Sequence, residues 1–246
     1  AQRWNPSSNR MIDIILRFSE RFLYKITYGY ISNTSVTTKQ LQKIIPQNEK
    51  LETIYNGIEK YNISKNKKKI FDICVLAHIS KNKGHFSLLE KIYEIKKIYP
   101  KIQVVFVGIN LLENKLIDKI NSYSLQDNIN LVGYTDNAYS YLLKSKIYVL
   151  PSRQEGLPTS ILEALNVEVP VVTYDIDGNG EAVIDNFNGF LVNANKDNLI
   201  EKIIELLSSE DIYNKFCNNS STILHQKFTD EAFFFKHNKY FLNEKS

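Results

Sequence analysis

The sequence predicts an α/β fold: a doubly wound, Rossmann-like parallel sheet with helices on both faces. Two observations predict it. From residue 70 onward, short and nearly continuous apolar runs alternate with segments of helical period, and runs without polar alternation belong to strands covered on both sides. Strands of that kind joined through helices require right-handed crossovers, which wind the sheet in both directions.

Taken in order, the chain opens on the polar stretch Asn5-Pro6-Ser7-Ser8 and then a segment of helical period. In it Met11, Ile14, Ile15, Phe18, Phe22 and Ile26 form one stripe, with Arg10, Arg17, Arg21 and Lys25 off it. A strand at 30–32, a helix at about 37–45 and a strand at 51–55 follow. These pieces are too few to enclose a core, so residues 1–55 read as the trailing end of another domain. Residues 56–69, with Lys65, Lys67, Lys68 and Lys69, read as a solvated connector, or as a hinge between two domains.

Strands are then expected at 71–78, 103–108, 129–132, 147–150, 170–173 and 189–192. Helices are expected between them at 86–99, 113–123, 138–143, 158–166 and 180–185, with three more from about 196. Residues 70–228 make the sheet domain, and the aromatic-rich 229–246 is expected to pack back as a helix, with Phe233, Phe234, Phe235, Tyr240 and Phe241 supplying its contact face.

Composition narrows the function classes. The 246 residues are 43% hydrophobic and 24% charged, which excludes a disordered chain. A net charge of +4 suits a phosphate-bearing ligand or an anionic surface but is too small to argue for nucleic acid; there is no arginine-rich face and no zinc-ligand spacing. Two cysteines, Cys74 in an apolar run and Cys217, make no disulfide framework and imply a reducing compartment, so the expected location is cytoplasmic. No stretch reaches the roughly 18 apolar residues of a membrane span, and no secretory signal opens the chain. The first residue is Ala1 rather than methionine, so a piece of a longer protein is expected.

In a doubly wound sheet ligands sit outside the carboxyl ends of the strands, so those loops carry the search. The fullest signal is Pro151-Ser-Arg-Gln-Glu155-Gly-Leu-Pro-Thr-Ser-Ile-Leu-Glu163-Ala164. Gly156 precedes a helix expected to start at Pro158, and the amides of Thr159 and Ser160 would face an anion at that helix start. Singly, Glu155 reads as a solvated loop acid and Glu163 as a local cap. Together in this loop they read as two carboxylates accepting paired hydrogen bonds from vicinal hydroxyls, which sugars and riboses both offer.

Those residues resemble a known family. Glu155 and Glu163, with seven residues between them, match the E-x7-E motif of the group 1 (family 4) retaining glycosyltransferases, two-domain enzymes of GT-B architecture. The resemblance runs from about Ser32 to Leu207 and includes Asn56-Gly57 at the interdomain junction, Val169-Pro-Val-Val172, Gly178-Asn-Gly-Glu181 and Asn188-Gly-Phe-Leu191. It implies that Glu155 contacts donor-sugar hydroxyls, Glu163 the nucleotide ribose, and the backbone of Gly156, Leu157, Pro158, Thr159 and Ser160, through the N–H groups that this stretch offers, the region of the sugar and diphosphate. It also implies that Lys83, before Gly84, binds the diphosphate with a second cation five residues earlier, where this chain has His78 in place of arginine. From its residues alone, His78 reads as a core residue at a strand end almost as readily. Gly133 and Tyr134 resemble the nucleobase-facing loop, although Tyr134 reads equally as packing on the sheet edge, and Glu181 reads as an acid at a helix start.

The expected function is therefore transfer of a sugar from a nucleoside diphosphate sugar to an acceptor hydroxyl with retention, in bacterial-type polysaccharide or glycoconjugate biosynthesis. Lys83 and Glu155 are its catalytic candidates, and no cofactor and no obligatory metal are implied. The acceptor is a saccharide or a lipid-linked saccharide. The stripe near the chain start reads first as core of the missing domain and second as a membrane-surface contact at the inner leaflet. Two other readings stand beside this one: a nucleotide-sugar-binding module without transfer, to which the His78 position points, and a nucleotide-sugar epimerase of the same architecture.

Overall fold

Residues 29–43, 50–61 and 68–242 are described by the computed structural model; the stripe from Met11 to Ile26 and the linker residues Lys65 and Lys67 lie outside them. A small unit comes first: β1 (Tyr30–Ser32), α1 (Ser35–Leu41) and β2 (Leu51–Thr53). Its two strands pair in parallel, Tyr30 against Leu51 and Ser32 against Thr53. So short a ribbon needs a covering layer to persist. Helix α1 supplies it, and Thr38 Oγ1 on the helix lies 2.6 Å from Thr53 Oγ1 on β2.

The main layer follows as β3 (Phe71–Leu76), α2 (His85–Ile98), β4 (Val104–Val107), α3 (Asn114–Ser122), β5 (Ile129–Gly133), α4 (Ala138–Leu143), β6 (Ser145–Leu150), α5 (Thr159–Asn166), β7 (Val171–Tyr174), α6 (Asn179–Ala182) and β8 (Gly189–Val192). Helices α7 (Leu199–Ser208), α8 (Glu210–Lys227) and α9 (Asp230–Leu242) complete it. The strand order is β5-β4-β3-β6-β7-β8 and every pairing is parallel.

Side chains alternate across this sheet as the pleat requires. Val104 and Phe106 of β4 and Ile147 and Val149 of β6 join Leu88, Leu89, Ile92, Leu116 and Ile203 on one face. Val105, Val107, Tyr148 and Leu150 join Leu142, Ile161, Leu162 and Leu165 on the other. With both faces covered, β4 and β7 are buried throughout, which is why their sequences carry no polar alternation. Each fully buried Leu, Ile or Phe contributes about 1.5–3 kcal/mol.

The expected doubly wound sheet is what the chain forms, with boundaries moved by a few residues. The strand expected at 71–78 ends at Leu76; beyond it Gly108, with φ +145°, lies against the Ala77 carbonyl, and His78 is exposed. The core reading of His78 is thereby overturned. The helix expected at 180–185 is a single turn, because Asn188 takes the Ile184 N–H and donates to the Ala182 carbonyl, ending it early.

Helix α9 returns to the opening unit. Tyr240 is 2% exposed, and its hydroxyl donates toward the carbonyls of Tyr30 and Lys50. The other aromatics divide differently from the single contact face expected: Phe234, Phe235 and Phe241 are 59%, 70% and 48% exposed, since only the Tyr240 side of α9 meets the protein.

Candidate functional site

Strands β3 and β6 are neighbours although α2, β4, α3, β5 and α4 separate them in sequence, so the loops after them leave the sheet at its topological switch point. Successive connections run to opposite sides of the sheet there, which is the ordinary ligand position in open α/β sheets.

The loop after β3 reaches the loop after β6 through Gly84, which has φ +74°. A Cβ built there would stand 2.2 Å from the Pro151 carbonyl oxygen, so only glycine permits the loop after β3 to touch the loop after β6. That contact delivers Lys83 to Glu155: Nζ donates to Oε1 at 2.5 Å, with the carboxylate side chain 8% and the ammonium side chain 28% exposed. Beneath them His85 is fully buried, and burial first, with the nearby Lys83 charge adding to it and the Ser80 backbone opposing, lowers its imidazole to about 4. This histidine is a packed neutral ring against Phe106, not a second cation.

The Glu155 loop is pinned from its own side. The Glu155 N–H donates to Asp177 Oδ2 at 3.0 Å, and the Gly156 carbonyl accepts from the Gly178 N–H at 3.1 Å. Helix α5 then begins at Thr159, one residue later than expected, because Pro158 has ψ 123° and stands outside the helix as its N-cap. A proline there offers no side-chain oxygen, and the first turn carries no acid, so the leading amides of Thr159 and Ser160 have no acidic or capping partner in their own turn. Leu157 is 4% exposed and anchors the loop in the core, so its part in the site is its backbone.

Ser160 is held from below. The Tyr148 hydroxyl lies 2.7 Å from Ser160 Oγ and 3.3 Å from the Leu76 carbonyl oxygen, so this buried phenol fixes Ser160 at the start of α5. Burial raises the Tyr148 phenol, and both Glu155 and Glu163 add to that, so both acids lie within electrostatic reach of this one buried hydroxyl. Glu163 is half-buried on α5, and loss of water raises its carboxyl above the ordinary range. Lys83, Gly84, Glu155 and the start of α5 are thus gathered at the switch point, with Glu163 further along the same helix.

Two further expected residues stand on neighbouring loops. Gly133 ends β5 with φ +78° and open space where a Cβ would point. Tyr134 is 71% exposed, so sheet-edge packing is overturned; its hydroxyl donates to Asp136 Oδ1 at 2.6 Å and its ring is free. His78 lies exposed on the loop that leads to Lys83.

Sequence reasoning missed Asp177 and Asn33 and gave Glu181 only part of its role. Asp177 was visible only as part of an Asp-Gly turn. Glu181 caps another helix, not its own: its carboxylate accepts from the Ser35 N–H at 2.9 Å and the Val36 N–H at 3.3 Å at the start of α1. Asn33 sits beside Gly156, its Oδ1 3.8 Å from where a Cβ of Gly156 would be. Nothing local in sequence pairs positions so far apart.

A family model for glycosyl transferases group 1 matches residues 58–222 of this chain. The Staphylococcus aureus capsular polysaccharide biosynthesis glycosyltransferase CapH is 31% identical over 185 residues, covering 73% of this chain and 51% of that protein. The Bacillus subtilis poly(glycerol-phosphate) alpha-glucosyltransferase is 34% identical over 161 residues, 65% of this chain and 22% of that protein. The chain spans about half the length of the curated relatives it matches, 42%, 51% and 57% of three of them. Its fold is also that of solved GT-B structures. Against a mutant of S. aureus TarM in complex with fondaparinux, alpha-GlcNAc-glycerol and UDP, the TM-score is 0.84 at 22% identity, over 98% of this chain and 48% of that one. Against Anabaena HepE in complex with UDP it is 0.85 at 18% identity, over 97% and 70%. The chain belongs to the group 1 glycosyltransferases.

Proposed function

We propose that this group 1 glycosyltransferase chain is the donor-binding half of a retaining enzyme, which transfers a sugar from a nucleoside diphosphate sugar to an acceptor hydroxyl. The observation that carries the reading is the Lys83–Glu155 pair at the switch point, beside the open start of α5. The cation and the acid satisfy each other when no ligand is there. An anion alone would take Lys83 and strand a largely buried carboxylate, at a cost of several kcal/mol. A ligand that brings phosphate for Lys83 and hydroxyls for Glu155 replaces both halves of the pair at once, and a sugar linked to a diphosphate is such a ligand.

In this reading Lys83, His78 and the amides from Gly156 to Ser160 hold the diphosphate, Glu155 the sugar hydroxyls and Glu163 the ribose, while Gly133 and Tyr134 face the base. The bond from the anomeric carbon to the phosphate oxygen breaks with its electrons moving onto that oxygen. The acceptor oxygen bonds to the same carbon from the same face, and its proton passes to the departing phosphate. Lys83 and the helix-start amides stabilise charge that is greater in the transition state than in the bound donor. Loss of one such preorganised donor costs on the order of 3 kcal/mol of barrier. Since these groups supply the positive potential, the reading calls for no obligatory metal.

The same reading assigns residues 1–55 to the acceptor-side domain, 56–69 to the interdomain linker, 70–228 to donor binding and 229–246 to the returning helix. The intact protein would act in polysaccharide or glycoconjugate synthesis in the cytoplasm, at the inner membrane face where its acceptor is lipid-linked. Names of relatives support the pathway class. Among the described residues no helix is long and apolar enough to cross a membrane.

The test is a panel of UDP-, GDP- and ADP-linked sugars titrated into the chain by ligand-observed NMR, beside Lys83→Ala and Glu155→Gln. One nucleotide class should bind, and both variants should weaken it at least tenfold with the fold retained. Equal binding by the parent and both variants would place the pocket elsewhere.

A further inference from the structure

Among the described residues of the opening unit, Asn33 is the one whose side chain reaches the donor loop with its hydrogen-bonding capacity unspent. Its amide oxygen and nitrogen lie 3.8 and 3.9 Å from where a Cβ on Gly156 would stand, next to Glu155. The residue is exposed, and among the described residues its amide makes no hydrogen bond.

The backbone that presents it is tightly held. Ser32, 5% exposed, donates through Oγ to the Thr34 carbonyl at 3.0 Å. Thr34, 1% exposed, accepts from the Thr37 N–H at 3.0 Å and so caps α1. Glu181 takes the next two amides, those of Ser35 and Val36. Gly178 closes the gap: a Cβ there would stand 2.6 Å from the Gly156 oxygen and 2.7 Å from Thr34 Cγ2, so its lack of a side chain lets the donor loop and the Asn33 turn approach each other. The result is a tightly bonded turn that holds one exposed polar side chain beside Gly156.

We propose that Asn33 determines donor specificity by bonding a hydroxyl of the transferred sugar beside Gly156. This rests on the donor-site reading above. A carboxamide carries a donor and an acceptor in one rigid group, which matches a hydroxyl, and it carries no charge with which to compete for phosphate. A site built to bond a hydroxyl discriminates against the sugar that lacks or inverts it, because the polar group is then left unpaired. The opening unit would therefore take part in choosing the sugar, a role separate from acceptor binding.

The experiment compares Asn33→Ala with the parent chain for two probes by calorimetry: the best-bound nucleotide sugar from the panel and the matching sugar-free nucleoside diphosphate. Asn33→Ala should bind the nucleotide sugar about fivefold to tenfold more weakly, the size of one neutral hydrogen bond, and the nucleoside diphosphate within twofold of the parent. Asn33→Asp, which keeps an acceptor and loses the amide donor, should shift the ranking among epimeric sugars on the same nucleotide. Equal weakening of both probes would make Asn33 a structural residue and overturn the proposal, as would no weakening of either. A parent chain that binds neither probe would overturn the donor-site reading and this proposal with it.

Discussion

The Nζ of Lys83 and the Oε1 of Glu155 lie 2.5 Å apart, tying the loop after β3 to the loop after β6 across the switch point of the sheet. Because Glu155 is nearly buried, the two residues are energetically coupled. Lys83→Met or Glu155→Gln alone should lower stability by about 2 kcal/mol, as one buried partner is left unpaired, and the double substitution should cost less than the sum. Urea unfolding of the four proteins closes the cycle; strict additivity would mean that the pair is not coupled.

His85 sets the acid limit. Its folded pKa is lowered to about 4 while an unfolded histidine titrates near 6.5, so the stability it contributes is fully present above 6.5 and is lost as pH falls from there towards 4. Unfolding free energy should drop by about 3 kcal/mol at most across that window from this residue. His85→Leu should flatten the slope between pH 6.5 and 4. An unchanged pH profile in that variant would assign the acid sensitivity elsewhere.

Two glycines with positive φ make a matched comparison. At Gly84 a Cβ meets the Pro151 carbonyl at 2.2 Å, whereas at Gly133 it meets nothing within 4 Å. Gly133→Ala should cost only the left-handed backbone penalty, about 1–2 kcal/mol. Gly84→Ala adds a clash between loops, so it should cost more and weaken nucleotide-sugar binding as Lys83 moves from Glu155. Thermal melts and donor titrations on both variants read the difference.

Glu181 joins the opening unit to the sheet domain by capping α1 from outside. Glu181→Ala should destabilise the chain by about 1–2 kcal/mol through the lost N–H partners of Ser35 and Val36. It should also ease Tyr55, whose phenol is raised to about 12 by burial first and Glu181 second. Ultraviolet titration against a Tyr55→Phe reference would detect a partial fall. Burial keeps that pKa above the ordinary value, so a complete return would contradict the assignment.

Most of the sheet was legible because its signal is local. A run such as Val104-Val-Phe-Val107 has no polar face, and a strand without one must be covered on both sides. The Glu155 to Glu163 segment was legible for the same reason: a loop, a proline and a helix start follow each other directly, and the helix begins within one residue of Pro158. Burial was harder to read. His78 next to an apolar run turned out exposed and His85 beside lysines turned out buried, because exposure depends on which loop crosses above. The aromatics of α9 divided between packed Tyr240 and exposed Phe234 and Phe235 on similar grounds.

By itself, then, the sequence determined the strand–helix alternation, the group 1 resemblance and the identity of the acids and lysine to watch, all of them properties of residues close along the chain. The tertiary structure alone decided that Lys83 meets Glu155, that Glu181 caps α1 and that Asn33 overlooks Gly156. Lys83 and Glu155 are 72 residues apart in sequence and Glu181 and Ser35 are 146 apart, with Asn33 and Gly156 between those two separations. Such pairs depend on the order in which strands are laid into the sheet and on glycines that let loops touch, and no spacing within a single segment encodes them.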